Sequence, residues 1–132
     1  MSRTEKRQLG DIGESLACRY LIDNGFRIIE RNYWKPWGEI DIIAEKAKSI
    51  RFIEVKSVSR EANGGVISRE TDIRPEENMH PAKIQRLHRA IQTYLADKNV
   101  ADSQEWQLDL ACVYIDSSAK MAKVDLLENI VL

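Results

Sequence analysis

The chain has little of several things, and each shortage excludes a class of protein. Two cysteines, Cys18 and Cys112, in 132 residues cannot build a disulfide framework, and neither belongs to a CxxC pair. Reduced, mostly buried thiols in a cytosolic protein are expected. The longest fully apolar run, Leu110 to Ile115, falls far short of the roughly 18 residues that a membrane span needs. Met1 to Gln8 is charged and has no apolar stretch, so it does not read as a secretory signal. The expectation is a cytoplasmic protein with no membrane partner. Charge of one sign is also missing, since 20 basic and 21 acidic side chains leave a net charge of −1. A cationic surface that holds nucleic acid by bulk charge is therefore excluded, and any such binding needs a local patch.

What is present is ordinary for one folded domain spanning 1–132. Hydrophobic residues make up 43% and charged residues 31%, which excludes a disordered tail, a collagen-like repeat and a stapled mini-protein. Charge is distributed unevenly: +1 over residues 1–40, +2 over 41–60, −3 over 61–80, +3 over 81–100 and −4 over 101–132. Positive charge thus gathers on one hairpin and one helix. Such clusters are often no more than solvated faces.

Residues 4–24 read as a helix with Leu9, Ile12, Leu16, Ala17, Tyr20 and Leu21 on one stripe and Asn24-Gly25 as its stop. A short β run over 26–31 and a loop over 33–38 follow. Strands are expected over 38–44 and 50–57, joined by the polar turn Lys46-Ala47-Lys48-Ser49. The polar, aperiodic stretch 59–79 reads as a mobile loop. A second helix opens at Pro81, with Ile84, Leu87, His88, Ile91, Tyr94 and Leu95 facing inward. A doubly buried strand over 106–115 and a weaker one over 123–127 complete the order α-β-β-β-α-β-β, a mixed sheet flanked by helices.

Asp41, Glu54 and Lys56 stand out because they occupy strands that should otherwise be buried. A turn centred between Ala47 and Lys48 pairs residues whose numbers add to 95, which sets Asp41 opposite Glu54 and Glu39 opposite Lys56. Directly opposed residues share a face, with Cβ atoms about 4.5–5.5 Å apart. A one-residue slip would separate them. Two carboxylates that close repel each other unless a cation lies between them, and a hard divalent ion prefers such oxygens. A lysine two residues beyond would project beside that ion, where it can orient water or offset charge on a phosphate. Cross-strand ion pairing alone is the other reading of these charges.

Together the residues resemble a known pattern. Asp41 followed by Glu54-Val55-Lys56 is similar to the signature of the PD-(D/E)xK nuclease superfamily. More closely, an ordered series resembles the YraN family of predicted endonucleases, related to archaeal Holliday-junction resolvases. The series comprises Gly13-Glu14, Gly25-Phe26, Arg31-Asn32, Gly38-Glu39-Ile40-Asp41, Phe52 to Lys56, Ala90, Tyr94-Leu95 and Leu108-Asp109-Leu110. After Val58 the sequence departs from that pattern with a longer, more acidic segment. The resemblance implies a restriction-endonuclease-like fold and a Mg²⁺- (or Mn²⁺-) dependent phosphodiesterase acting on DNA, duplex or branched. It implies Asp41 and Glu54 as metal ligands, Lys56 as the catalytic lysine and Glu14 as a supporting acid. Glu39 and Gln85 are further supporting candidates, and Lys83, Arg86 and Arg89 are candidate phosphate contacts. By analogy a homodimer suits a duplex or branched substrate. A non-catalytic nucleic-acid-binding or assembly module keeping the fold is the alternative. Trp34 and Trp37 read as closing the core rather than stacking on bases. His88 reads as a packed histidine, and Asp109 as an acid with a fixed structural partner.

Overall fold

The computed structural model describes residues 2–60, 80–116 and 118–130. Helix α1, Arg3–Asp23, starts where the Ser2 hydroxyl accepts a hydrogen bond from the Glu5 N–H at 3.1 Å, which satisfies one of the helix's orphan donors. It stops at Asn24, and Gly25 turns the chain with φ +88, a region glycine enters without strain. Five strands follow: β1 Arg27–Lys35, β2 Gly38–Lys46, β3 Ser49–Arg60, β4 Trp106–Asp116 and β5 Met121–Leu127. Helix α2, Pro81–Asp97, lies between β3 and β4.

The strands form one sheet in the order β1-β2-β3-β4-β5. Neighbours are antiparallel except β3 and β4, whose parallel pairing needs the crossover that α2 supplies. This is the mixed α/β architecture and element order expected from the sequence. Ala47 and Lys48 both take positive φ (52 and 66), the two-residue turn whose twist suits a hairpin. It fixes the register from Lys46↔Ser49 to Ile42↔Ile53, each pair adding to 95 as expected.

Alternation along the strands divides the core in two. Ile43, Phe52 and Leu108 pack with Leu87, Ala90, Ile91 and Tyr94 of α2. Ile42, Ala44, Ile53, Ala111 and Val113 pack with Ala17, Cys18 and Leu21 of α1 on the other face. Burying each large aliphatic side chain contributes about 1.5–3 kcal/mol, so Leu21 and Ile91, both fully buried, anchor their helices. Two glycines set how closely the helices approach. A Cβ at Gly13 would collide with the Ser57 side chain of β3, and one at Gly38 would lie 2.5 Å from the Arg86 carbonyl oxygen.

Some expectations need correction. The stretch 33–38 is not all loop: Tyr33 to Lys35 continue β1, because Tyr33 finds an edge-on partner in Tyr94, and only Pro36-Trp37 turn. On α1 the inward face is rotated from the predicted stripe. Ile12 is 51% exposed, while Gly13, Glu14 and Cys18 are buried. His88 is exposed beside Gln92, and Ala90 takes the inward position instead. The expected loop at 59–79 lies outside the described residues except for Ser59 and the following position, which extend β3.

Candidate functional site

The chemistry gathers where β2 and β3 part. Their pairing stops at Ile42↔Ile53, and the next rung is replaced by a side chain. Asp41 Oδ2 accepts a hydrogen bond from the Val55 N–H at 2.8 Å. The carboxylate thus satisfies a backbone donor that a continuing ladder would have used, and it stands in the gap with Glu54 opposite. Glu54 is only 8% exposed. Burial first, and the Asp41 carboxylate second, push its pKa up to about 8, partly offset by Lys83. Lys83 Nζ lies 3.2 Å from Glu54 Oε1, brought there from the first turns of α2.

Glu14, on α1, lies near enough for the Asp41 charge to act on it. It is 8% exposed, and its Oε1 accepts hydrogen bonds from Arg31 Nε and Asn32 Nδ2, both at 3.0 Å. Successive strand residues ordinarily point to opposite faces. Arg31 and Asn32 both reach Glu14 because Asn32 adopts φ 55, a left-handed conformation that asparagine tolerates. Burial raises the pKa of Glu14, the Arg31 hydrogen bond opposes that, and the Asp41 charge raises it further. Asp41 is therefore felt by both glutamates.

Beside Glu54 opens a groove of about 280 Å³, lined by Trp34, Lys35, Pro36, Trp37, Gly38, Glu39, Glu54, Lys83, Arg86 and Leu87. It brings together four of the expected residues: Glu39, Glu54, Lys83 and Arg86. Lys56 lies two residues beyond Glu54 on β3, so the pleat turns both to the same face, and it is half-buried. Its expected pairing with Glu39 is not made, because the ladder has already ended. Gln85 is exposed and does not line the groove. Arg89 stacks over the Trp37 ring at 4.5 Å instead of facing the groove, and Trp37 Nε1 donates to Thr93 Oγ1 at 3.2 Å. Trp37 is thus fixed against α2. Trp34, 64% exposed, does not close the core as expected. His80 caps α2, its Nδ1 accepting from the Ala82 N–H at 3.1 Å.

Sequence reasoning missed the clamp on Glu14 and the Lys83–Glu54 contact. The adjacency of Arg31 and Asn32 was visible, but nothing in their spacing pointed to a helix seventeen residues earlier.

Among the described residues no group of three or more His, Cys, Asp or Glu side chains is placed to hold a metal ion. The donor set at the gap is a pair, Asp41 and Glu54. Magnesium is ordinarily held by one or two carboxylates, with waters and substrate oxygens completing the shell, so the pair fits it. With no His or Cys beside it, the pair does not suit zinc. Among the described residues no helix is long and apolar enough to cross a membrane.

A mixed five-stranded sheet between two helices, with an acid pair and a nearby lysine at the parting of two strands, is an α/β domain of restriction-endonuclease-like architecture. The Uncharacterised protein family UPF0102 matches residues 13–115. The chain is 35% identical over 129 residues to a UPF0102 protein of Moorella thermoacetica, covering 98% of each. It is 38% identical over 118 residues to one of Campylobacter lari, covering 89% of this chain and 88% of that one. With a UPF0102 protein of Helicobacter hepaticus it shares 36% over 126 residues, 96% of each. The chain belongs to the UPF0102 family, the YraN-like group that its motif series resembles.

Proposed function

We propose that the protein is a metal-dependent endonuclease of the PD-(D/E)xK superfamily that hydrolyses DNA phosphodiester bonds in the cytoplasm. The observation that carries this reading is the meeting of Asp41 and Glu54 at the β2–β3 parting, where Glu54 is buried and its pKa is pushed to about 8. Two acids held together, with a half-exposed lysine as their counter-ion among the described residues, make a place that a divalent cation would neutralise better. Asp41 and Glu54 would hold Mg²⁺ or Mn²⁺. When bound, that ion supplies polarisation of the phosphoryl oxygen and a more acidic water. The Lys56 ammonium would orient the attacking water and offset charge growing on the phosphate. Lys83, whose ammonium has donors to spare beyond Glu54, and Arg86 would hold phosphate oxygens beside the groove. Glu14, fastened by Arg31 and Asn32, would add a third negative charge near the ion as the supporting acid.

The test is cleavage of single-stranded, duplex and branched DNA with Mg²⁺ or Mn²⁺. Asp41→Asn and Glu54→Gln should lose both cleavage and saturable Mn²⁺ binding in calorimetry, and Lys56→Ala should lose cleavage with Mn²⁺ binding kept. Absence of cleavage on every substrate would overturn the reading. One observation favours a second reading, a non-catalytic DNA-binding module: Lys83 already occupies the position beside Glu54, 3.2 Å away, where a metal ion would otherwise compensate the charge. That reading requires Glu54→Gln to leave DNA binding and cellular phenotype unchanged.

A further inference from the structure

The groove beside Glu54 has a feature that phosphodiester hydrolysis does not need. Trp34, next to the β1–β2 turn, is 64% exposed and lines the groove opposite Glu39 on β2. A lone exposed indole needs no explanation, but one that lines a groove beside two cations offers a flat apolar face to a ligand. Nearby, Trp37 is rigid: its N–H is bonded to Thr93 and one ring face is covered by Arg89. On the α2 side stand Lys83, half exposed, and Arg86, which makes no ion pair among the described residues. An exposed aromatic face, a rigid wall and two cations are the parts of a site for one nucleotide: a stacking platform with phosphate contacts.

We propose that this groove seats an unpaired nucleotide of the DNA strand, its base stacked on Trp34 and its phosphate held by Lys83 and Arg86. This deepens the nuclease reading by naming the substrate class, and it rests on that reading only for what happens at Glu54. A base inside a duplex has both faces covered by its neighbours, so the indole selects unpaired bases at ends, flaps or junctions. The volume, about 280 Å³, is on the scale of one nucleotide. The charge balance agrees. At a net −1 the chain has no bulk positive charge to hold DNA, so the local cations and the stacking face share the affinity.

The experiment measures binding of the full chain to labelled DNA in the presence of a chelator, so that no cleavage is involved. Single strands and duplexes with a splayed end should bind at least about tenfold tighter than the blunt duplex, and Trp34→Ala should erase that preference while Trp34→Phe keeps most of it. With about two phosphate contacts, the logarithm of affinity for single strands should fall with that of salt at a slope of roughly −1 to −2. Blunt and splayed duplexes binding alike would overturn the proposal. So would a Trp34→Ala protein that binds as the wild type does, or one that only loses self-association in sedimentation. Circular dichroism confirms that this surface variant is folded. If Trp34→Ala loses the preference and no DNA is cleaved with Mg²⁺, the nuclease reading fails and the groove assignment stands. If DNA is cleaved and Trp34→Ala changes nothing, the reverse holds.

Discussion

Two buried acids on the same sheet have been handled in opposite ways. Asp109 on β4 is fully buried and surrounded by donors: Arg51 Nη1 at 3.3 Å, Gln107 Nε2 at 2.8 Å and the Asn129 N–H at 2.9 Å. Glu54, one row away on β3 and turned to the other face, has one half-exposed lysine and a second carboxylate beside it. Asp109 joins the C-terminal segment to the hairpin. Among the described residues Glu54 has fewer donors, and it stands at the mouth of a groove. A buried acid with donors on both oxygens holds a fold together, whereas one with fewer donors is available to a ligand.

The comparison can be broken most strongly at Asp109. Asp109→Ala would leave Arg51, whose side chain is 12% exposed, and two further donors without their acceptor. It should lower stability by about 3–5 kcal/mol in urea unfolding, as breaking a buried ion pair does. An unchanged midpoint would mean that Asp109 is no more structural than Glu54.

Glu54→Gln should act in the opposite direction. The folded pKa of Glu54, about 8, lies above its ordinary 4.5, so the folded protein holds a proton that the unfolded chain releases. That contribution to stability is fully present below about pH 4.5 and is lost as pH rises toward 8. The metal-free wild type should therefore lose stability across this window. Glu54→Gln should flatten the dependence and melt about 5 °C or more higher at pH 8, as ~2 kcal/mol would produce. A thermal melt series at several pH values decides it, and a lower melting temperature for the variant at pH 8 would refute the account.

Gly13→Ala is expected to have a smaller effect. Its Cβ would strike the Ser57 side chain and push α1 off β3, costing about 1–3 kcal/mol, less what alanine returns in helix propensity. Adding Ser57→Gly should restore the melting temperature if the close approach is the cause. The smallest effect is expected at the exposed Arg27–Glu45 pair, 3.2 Å apart, where Arg27→Ala should change stability by about 1 kcal/mol or less.

Much of the fold was legible because local signals agreed. A two-residue turn at Ala47-Lys48 needs only the alternation on either side to set the register, which holds from Lys46↔Ser49 to Ile42↔Ile53. The counted Asp41–Glu54 rung is not made, because the Asp41 side chain takes the Val55 N–H there. The apolar run over 106–115 marked Asp109 as an acid among apolar neighbours, and the structure supplies the partner expected for it. The apolar stripe of α1 was less legible. Ile12 counts as apolar wherever it lies, yet Gly13 and Glu14 face inward because Ser57 admits only a glycine and because Arg31 and Asn32 meet Glu14 there. Trp34 and Trp37 carry the same side chain three residues apart, and only the position of α2 makes one a wall and leaves the other bare.

By itself the sequence determined what depends on neighbours along the chain: the helices, the hairpin register, the near-zero charge and the acids set within apolar strands. Tertiary structure alone decided the parting of β2 from β3, the reach of Lys83 across to Glu54 and the left-handed turn of Asn32 toward Glu14. The physical reason is range. A period or a turn is fixed by a few adjacent torsions, whereas a charge finds its partner only after loops have closed and helices have docked.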